Sequence, residues 1–378
     1  MKVKKLLEPK LRFNEFQDEW KKFKLGELVN FLDEKRKPIK DSDRNKFKGI
    51  YPYYGASGII DYVKEYIFDQ DTILLGEDGA NILARSTRLA FIATGKYWVN
   101  NHAHVLEPKE SNIYFLCELL ESLKYEQYNT GTAQPKLNQE VCKNIEIIVP
   151  SIIEQEKIGK FLILLNKKIE LQKRKIEALK IYKRGLIQKL YDQKYNNKIK
   201  MKNIIKQKSI RNKNNEIKDI YSVNNKDGFI LQSDQFKDRI VASEDTTNYK
   251  IIKKDYFAYN PARINVGSIA RMKYKKIGII SPMYICFECK NNVLPEYLEY
   301  FFETDIFTYE MKKRLEGSVR MCLSYESMLN IPIDLPDIMQ QEMISKVLNE
   351  FDKRINCEEI KYHYQKKLKD GLLQKMFI

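Results

Sequence analysis

The sequence contains the pattern of one long amphipathic helix twice, 186 residues apart. In the first copy, within residues 152–191, apolar residues recur at alternating steps of four and three, which is the heptad pattern of a coiled-coil strand. Without any gap, 22 of the 60 residues in 131–190 are identical in 317–376. A repeat of this length indicates an internal duplication and predicts two similar halves within one chain.

Polar residues interrupt both heptad seams at two corresponding positions, and the second seam has one further interruption. Gln172 and Lys183 interrupt the first seam, and Glu358, Gln365 and Lys369 interrupt the second. A polar residue at a seam position fixes the register of a coiled coil at some loss of stability. We therefore expect these residues to be register marks or docking points for partner subunits.

The two helices divide the chain into four segments. In both halves a helix, a loop, a short strand and a proline precede the long helix, whereas similarity is nearly absent further upstream. The sequence predicts an α+β fold with globular domains at 1–150 and 196–336 and long helices at 151–195 and 337–378. If the halves obey a pseudo-twofold axis, the helices pair as an antiparallel coiled coil. Two divergent domains would then be held at a fixed separation by two similar arms.

Local patterns add finer predictions within the domains. Single helices are predicted over 113–128 and 294–315, a strand-like segment over 80–85, and a polar connector and domain entry over 191–215. Three aromatic residues in the first segment are predicted to pack onto the first domain: Phe13, Phe16 and Trp20.

The charge of the chain favours an anionic partner. The net charge is +16 and the pI is about 9.2, and nucleic acid is the commonest partner of such chains. Residues 157–200 contain 14 Lys or Arg against three acids. This basic arm would face DNA phosphates, an acidic patch on a partner, or solvent alone. The sequence shows no secretory signal and no apolar run near the ~18 residues of a membrane span, so we expect a cytoplasmic protein.

Motifs of the relevant enzyme classes are missing. Asn260-Pro261-Ala262 lacks the second proline and the aromatic residue of an adenine methyltransferase motif, and no glycine-rich cofactor loop accompanies it. The nucleotide-binding pattern G-x-x-x-x-G-K-[ST] is absent. A nuclease built on Asp337 and Glu359 would have its acids roughly 30 Å apart on one helix. We expect no catalytic residues in this chain.

Metal sites are not predicted either. Cys286 and Cys289 form a lone C-x-x-C without a second pair at suitable spacing, so buried free thiols are expected. His102 and His104 lie at strand spacing without an apparent third ligand, which favours DNA contact or packing over a metal.

Several segments, taken together and in order, resemble the specificity (S, HsdS) subunits of type I restriction–modification systems. The matching segments in the first half are PKLRFNEFQDEWKKFKLGEL, YYGASGIIDYV, GTAQPKLN and IVPSIIEQEKIGKFL. In the second half they are GSVRMCLS and DLPDIMQQEMISKVL. Each is short, but the resemblance covers essentially the whole chain.

The resemblance implies a non-catalytic subunit that binds a bipartite double-stranded DNA target, with one half-site per recognition domain. It also implies two methyltransferase (M) subunits and restriction (R) subunits as partners. S-adenosylmethionine, ATP and magnesium would bind to those partners, which methylate adenine and cleave DNA, and no cofactor is expected here. The alternatives are a separate specificity chain of a type II-like system and a coiled-coil scaffold that does not bind DNA.

Candidate DNA-binding residues follow from base chemistry, because Arg and Lys contact guanine, Asn and Gln contact adenine, and polar groups bind phosphates. In the first domain the loop residues of these types are Lys46, Lys48, Tyr54, Ser57, Arg85, Arg88, Asn100, Asn101, His102, Gln134 and Lys136. In the second domain they are Arg239, Tyr259, Asn260, Arg263, Asn265, Arg271, Lys312, Arg314, Ser318 and Arg320. The loops 130–136 and 317–322 are the preferred candidates, since they occupy equivalent positions and each places a glycine beside polar side chains.

Overall fold

The computed structural model describes residues 7–225, 227–235, 245–317 and 320–377. The chain forms two compact units, and each long helix contributes to both of them. Unit 1 contains residues up to 174 and from 360 onward, and unit 2 contains residues 175–359. The predicted α+β class with two long helices is confirmed, and these helices run over Ile152–Tyr191 and Ile338–Met376.

Unit 1 contains ten strands and five shorter helices within the described residues, besides its parts of the long helices. The strands are β1 Lys21–Lys24, β2 Val29–Phe31, β3 Lys48–Gly55, β4 Gly58–Val63, β5 Phe68–Asp69, β6 Thr72–Gly76, β7 Ala90–Ala93, β8 Lys96–Val99, β9 Ala103–Pro108 and β10 Glu146–Val149. The helices are α1 Leu25–Leu28, α2 Asp41–Arg44, α3 Asn81–Ala84, α4 Ile113–Ser122, α5 Gln139–Lys143 and the first part of α6 Ile152–Tyr191.

Unit 2 has the same number of strands in its described part. They are β11 Lys198–Lys200, β12 Ile205–Lys208, β13 Ile220–Asn224, β14 Gly228–Leu231, β15 Lys250–Ile252, β16 Phe257–Tyr259, β17 Ile269–Arg271, β18 Gly278–Ile280, β19 Ile285–Cys289 and β20 Pro332–Asp334. The helices are α7 Gln232–Gln235, α8 Pro295–Phe301, α9 Asp305–Lys312, α10 Tyr325–Leu329 and α11 Ile338–Met376.

The two units share one sheet topology. Unit 1 has the four-stranded sheets β2-β9-β6-β7 and β4-β3-β8-β5 and the pair β1-β10. Unit 2 has β12-β19-β16-β17, β14-β13-β18-β15 and the pair β11-β20 in the same order. The single parallel pairing is also equivalent, β3 with β8 and β13 with β18. The divergent domains are therefore two versions of one fold.

The core of unit 1 joins the domain to the helices. Trp20 is buried and packs edge-on against Phe115, with ring centroids 6.1 Å apart, and Phe13 packs similarly on Phe161 of α6. Ile158 and Leu162 of α6 and Met376 of α11 belong to the same buried cluster. The predicted packing of the first aromatic residues is confirmed for Trp20 and Phe13.

In unit 2 the two long helices pack against each other in antiparallel fashion. Lys175 lies 3.0 Å from Glu358, whereas Lys183, two turns later, lies 2.7 Å from Asp352, so the partner number falls as the helix advances. Tyr182 stacks on Phe351 with centroids 5.4 Å apart.

The charged interruptions of the seams form ion pairs within their own units. In unit 1 the Lys369 ammonium lies 2.9 Å from the Glu118 carboxylate of α4, and in unit 2 Lys183 pairs with Asp352. Lys369 and Lys183 keep only 12% and 13% of their side-chain surface exposed. Both lysines are therefore internal to their units, and the structure does not support them as docking points.

Two local predictions were wrong, and a third segment contains strands that were not predicted. The segment over 294–315 is two helices, because the Thr304 hydroxyl accepts from Phe307 N (3.0 Å) and starts α9 anew. The stretch 80–85 contains the helical turn α3 rather than a strand, since the Asn81 side chain bonds Thr87 at both its carbonyl and its N–H. The connector over 191–215 contains β11 and β12.

The helix over 113–128 was also predicted too long. α4 ends at Ser122, and a 3-10 turn follows at Glu126–Tyr128. Within the described ranges, none of the helices has the length and apolar character needed to cross a membrane.

Candidate nucleic-acid interface

Four loops of unit 1 meet at one end of its two sheets. The Asn100 N–H donates to Tyr54 O (3.0 Å), the Glu77 N–H to His102 O (2.9 Å), and the Leu137 N–H to Glu77 O (2.7 Å). These backbone bonds tie together the segments between consecutive strands and the segment before α5. We call this surface rim 1, and it consists of residues 55–58, 76–80, 99–103 and 130–137.

The loop 130–136 is closed by one side chain. The Asn129 carboxamide oxygen accepts from Gly131 N (3.0 Å) and from Lys136 N (2.8 Å). A β-carbon on Gly131 would collide with the Gln134 carbonyl oxygen, so the turn requires glycine. The loop therefore presents the side chains between these residues in a fixed arrangement.

Most of the predicted residues on the first domain lie on rim 1. The exposed ones are Ser57, Asn101, His102, Gln134 and Lys136. Two others support the rim from within: Tyr54 is half-buried, and Asn100 is buried with its side-chain oxygen accepting from His102 N (2.8 Å).

Four predicted residues lie elsewhere in unit 1. Lys48 begins β3, whose other end is Gly55 on the rim, so a rise of ~3.3 Å per residue puts it roughly 20 Å away. Lys46 precedes it and pairs with Asp43 at 3.5 Å. Arg85 and Arg88 face α4. Arg85 lies 3.0 Å from Glu121, and Arg88 lies 2.8 Å from Glu118.

Two acidic residues of rim 1 were not among the predicted DNA-binding residues. Glu77 and Asp78 lie between Gly76 and Gly79, in the segment before α3. Asp78 lies 2.8 Å from the His102 imidazole at the exposed surface. Carboxylates accept from the cytosine amino group, so Asp78 adds to the base-contacting chemistry of the rim. An acid pair flanked by two glycines was the available signal.

A buried charge cluster lies beneath rim 1, and it consists of Asp33, Arg36, Glu77 and His104. The His104 imidazole is 1% exposed and lies 2.6 Å from Asp33, while Arg36 lies 2.6 Å from Glu77. Burial disfavours the charged imidazole, but hydrogen bonds to Asp33 and Cys142 outweigh it and raise the pKa of His104 to about 10. His104 is thus a packed, charged residue.

The histidines do not form a metal site with their neighbours. His102 is exposed and bonded to Asp78, whereas His104 is buried and bonded to Asp33. Among the described residues there is no group of three or more His, Cys, Asp or Glu side chains placed to hold a metal ion. Cys286 is buried and Cys289 partly buried, and burial raises the pKa of both thiols to about 12.

The equivalent loops of unit 2 form rim 2, which consists of the described residues 224–225, 227–228, 259–269, 280–285, 316–317 and 320–323. The Leu323 N–H donates to Pro261 O (3.0 Å), which is the counterpart of the bond from Leu137 to Glu77. Gly317 has a φ of +117°, and a β-carbon there would collide with the Arg320 carbonyl oxygen. Gly317 is thus the equivalent of Gly131, and in both loops the close contact is with the carbonyl oxygen three residues later.

Four predicted residues of the second domain lie on rim 2, and these are Asn260, Arg263, Asn265 and Arg320. Arg239 and Ser318 were also predicted, but they lie outside the described residues. Lys312 and Arg314 lie at and just after the end of α9, where Arg314 is 2.5 Å from Glu310.

Tyr259 and Arg271 are interior residues of unit 2. The Tyr259 hydroxyl donates to Leu323 O (3.2 Å), and the residue has no exposed surface. Arg271 is 8% exposed and lies 2.5 Å from Glu296 and 2.9 Å from Glu299. Both residues brace the fold and do not face a ligand on the surface.

Three exposed apolar side chains on rim 2 were not predicted either, because the candidates were chosen for their polar groups. Val266, Met283 and Met321 are 56%, 61% and 48% exposed and come from three different loops of the rim. The Met283 sulfur lies 3.7 Å from the Asn260 side-chain nitrogen. Apolar groups contact the thymine methyl in the major groove, so this surface can combine both kinds of base contact.

The long helices also expose apolar residues on their surfaces. On α11 in unit 1, Ile360, Tyr364 and Leu368 recur every four residues and are 61%, 67% and 44% exposed. On α11 in unit 2, Met339, Met343 and Val347 do the same. Residues at this spacing lie on one helix face, and exposed apolar patches commonly mark protein interfaces.

Part of the chain is similar to known proteins. Residues 17–180 match the model of the type I restriction modification DNA specificity domain. A Haemophilus influenzae protein described as a type I restriction enzyme specificity subunit is 37% identical over 145 residues, which are 38% of this chain and 36% of that protein. Over these residues the chain is similar to type I specificity subunits. The EcoprrI specificity subunit of Escherichia coli is 29% identical over 147 residues, 38% of this chain and 35% of that protein.

Two solved structures match the fold of nearly the full chain. A type I restriction–modification S subunit from M. genitalium has a TM-score of 0.62 at 16% identity, covering 98% of this chain and 99% of that one. A chain from a structure on complex assembly and conformational transition of the type I R-M system has a TM-score of 0.54 at 11% identity, covering 95% and 97%. Both likenesses concern the fold, whereas the sequence matches span about a third of the curated relatives.

Proposed function

We propose that this chain is the DNA-sequence-recognition subunit of a type I restriction–modification complex, with rim 1 and rim 2 each contacting one half of a bipartite target. The observation that carries the proposal is the pair of equivalent rims. One topology, repeated in both units, supports four equivalent loops, yet the side chains on those loops differ. A duplicated scaffold with different exposed side chains is what two different half-sites require.

The chemistry of the rims supports this role. Rim 1 exposes Asn101, His102, Gln134 and Lys136, and rim 2 exposes Arg263 and Arg320. These groups match the donors and acceptors of base edges, and the net charge of +16 favours attraction to phosphates. The chain would be non-catalytic, with adenine methylation, ATP hydrolysis and DNA cleavage performed by partner subunits that bind S-adenosylmethionine, ATP and magnesium.

The exposed apolar faces of α11 support docking of the M subunits. Ile360, Tyr364 and Leu368 form one stripe, and Met339, Met343 and Val347 form another on the same helix. Two stripes, one in each unit, match the two M subunits expected for a specificity subunit. Tyrosine is common among residues that dominate binding energy, so Tyr364 is the strongest single candidate.

Methylome mapping tests the proposal. The chain is coexpressed with the M subunit encoded beside it, and adenine methylation is mapped across the host genome. A bipartite, asymmetric motif is expected. Replacing residues 1–150 with those of a homologue should change one half of the motif, which we then name half-site 1, and leave the other half and the spacer unchanged. Methylation without a motif would refute sequence recognition.

A coiled-coil scaffold without DNA binding makes a different prediction. Binding of a DNA-recognition subunit to duplex DNA weakens steeply as salt rises, because bound phosphates release counterions. Anisotropy titrations of the assembled complex between low and moderate salt measure that slope. A slope near zero would favour the scaffold.

A further inference from the structure

The buried charge cluster beneath rim 1 is not required by the fold. Strand register gives the equivalent positions of the two units. His104 pairs with Leu75 in unit 1, and Ile285 pairs with Tyr259 in unit 2, so Ile285 is the equivalent of His104. By the same register Ser209 corresponds to Asp33 and Pro261 to Glu77. Unit 2 thus builds the same topology with uncharged residues at these three positions.

Stability alone does not explain the cluster either. Replacing a buried ion pair with well-packed apolar residues is often neutral or stabilising, because desolvation of the charges offsets their attraction. Asp33, Glu77 and His104 keep 7%, 13% and 1% of their side-chain surface exposed. A charged arrangement in the interior of one unit, with a neutral counterpart in the other, points to a role specific to unit 1.

Glu77 is the residue that connects this cluster with the rim. Its side chain lies 2.6 Å from Arg36 beneath and 3.4 Å from the Lys136 ammonium on the rim. Its backbone N–H donates to His102 O (2.9 Å), and its carbonyl accepts from Leu137 N (2.7 Å). Glu77, on the loop 76–80, therefore contacts two of the other three rim loops, and these two carry four of the five exposed predicted residues.

The remaining members of the cluster hold Glu77 and its neighbours from below. Arg36 donates to Ala103 O (2.8 Å), and His104 bonds Leu137 O (2.8 Å) through its second ring nitrogen. Asp33 accepts from Val105 N (2.9 Å). Each bond ends on the backbone of a rim loop or of the strand that leads into it.

We propose that Glu77 is a positioning residue for recognition of half-site 1, holding Lys136 and the adjoining rim-1 loops in their DNA-contacting arrangement from the charge cluster beneath. This inference rests on the proposed function. Without the Glu77 carboxylate, the cationic side chains of Arg36 and Lys136 lose the anion that joins them, and their mutual repulsion displaces the loop 130–137. Rim 2 has no such dependence, because Pro261 replaces the carboxylate.

The test uses the complex of the full chain with its M subunits and three duplexes: the cognate site, the site with half-site 1 scrambled, and the site with half-site 2 scrambled. The ratio of each scrambled Kd to the cognate Kd measures discrimination at that half-site. For Glu77→Gln we expect discrimination at half-site 1 to fall about tenfold, as loss of a charged hydrogen bond implies, with discrimination at half-site 2 unchanged.

Two further variants separate positioning from general stability. Glu107→Gln changes a carboxylate near the other end of β9, where Glu107 accepts from Asn30 (3.0 Å) and Gln70 (3.1 Å), and should leave both ratios unchanged. Lys136→Met leaves the Arg36–Glu77 and His104–Asp33 pairs intact, so it should keep the Tm of unit 1 while lowering discrimination at half-site 1.

Three results would overturn the inference. In the first, both Glu77→Gln and Lys136→Met keep their discrimination at half-site 1. In the second, the Kd ratios at both half-sites fall equally. In the third, affinity drops uniformly on all three duplexes, and Lys136 is then assigned to a phosphate. If the wild-type complex discriminates neither half-site, the proposed function fails as well, and that result is distinct from the other three.

Discussion

The lysines that interrupt the heptad seams allow a quantitative test of the packing in unit 1. Lys369 of α11 lies 2.9 Å from Glu118 of α4, and both side chains are nearly buried. Glu118 also contacts Arg88 at 2.8 Å and Asn166 of α6 at 2.9 Å. The substitution Lys369→Met keeps the length and apolar stem of the side chain and removes only its charge.

The expected loss follows from the remaining contacts of Glu118. Removing one partner of a buried ion pair costs about 3–5 kcal/mol when the other charge is left without compensation. Since Arg88 and Asn166 remain, we expect the smaller value of about 2 kcal/mol for Lys369→Met. The control Lys367→Met removes an exposed lysine two residues earlier and should change stability by less than about 0.5 kcal/mol.

The assay can monitor unit 1 separately. Both tryptophans of the chain, Trp20 and Trp98, belong to unit 1 and are buried, so tryptophan fluorescence during urea unfolding reports on that unit. A loss of about 2 kcal/mol would also lower the Tm of a unit of this size by about 4–8 °C.

The pH dependence tests the electrostatic cause. Burial disfavours the charged Glu118 carboxylate, but Arg88 and Lys369 outweigh it and lower its pKa from 4.5. A lowered pKa stabilises the fold above the unfolded value and loses that contribution as pH falls. The difference between Lys369→Met and wild type should therefore shrink from pH 7 toward pH 4. An equal difference at both pH values, or one as small as for Lys367→Met, would refute the ion-pair explanation.

Four further predictions follow from other contacts. Gly131→Ala and Gly317→Ala should each weaken discrimination at the half-site of their own unit, because a β-carbon at either glycine opposes the loop closure at a cost of at least about 1 kcal/mol. The Kd ratios on scrambled duplexes measure this loss. Gly185→Ala is the control, since a β-carbon there meets open space. His104 should contribute fully to stability below pH 6.5, and this contribution should decline as pH rises toward about 10. The groups around His104 that set it are Asp33, Arg36, Glu77 and Cys142. His104→Gln should therefore flatten the dependence of Tm on pH between these two values. Tyr364→Ser should weaken M-subunit binding at least about tenfold in a titration where Lys367→Met has no effect. If Met283 contacts a thymine methyl, replacing thymine by deoxyuracil in half-site 2 should weaken wild-type binding and leave Met283→Ala binding unaltered, and equal losses in both proteins would exclude that contact.

The long helices were predictable because their pattern is local and repeated. Heptad periodicity over about 40 residues has few alternative interpretations, and the 186-residue echo confirmed it within the sequence itself. The helices begin at Ile152 and Ile338, directly after Ser151 and Asp337. The Asp337 side chain accepts from Gln340 N (2.8 Å), so the residue considered for a nuclease is a helix cap.

The convergence of the rim loops was not predictable from local patterns. It depends on backbone bonds between distant residues, such as Leu137 with Glu77 and Leu323 with Pro261. Residue types pointed to Tyr259 and Arg271 as readily as to Asn260, although the first two are held inside unit 2. Burial decides between such candidates, and burial follows from strand order, which the sequence pattern did not reveal.

The distribution of identical residues between the halves now has a physical explanation. Gln155 and Gln341 occupy the same place in α6 and α11, and each bonds a backbone N–H at the start of a domain helix, at Asn112 (3.0 Å) and at Leu294 (2.8 Å). Each also donates to the proline carbonyl before its own helix. A buried amide that makes both of these bonds is constrained by the fold, whereas the side chain at an exposed rim position such as His102 is not. Identity is therefore retained where the domain joins its helix, and the rims vary freely on a framework that both units share.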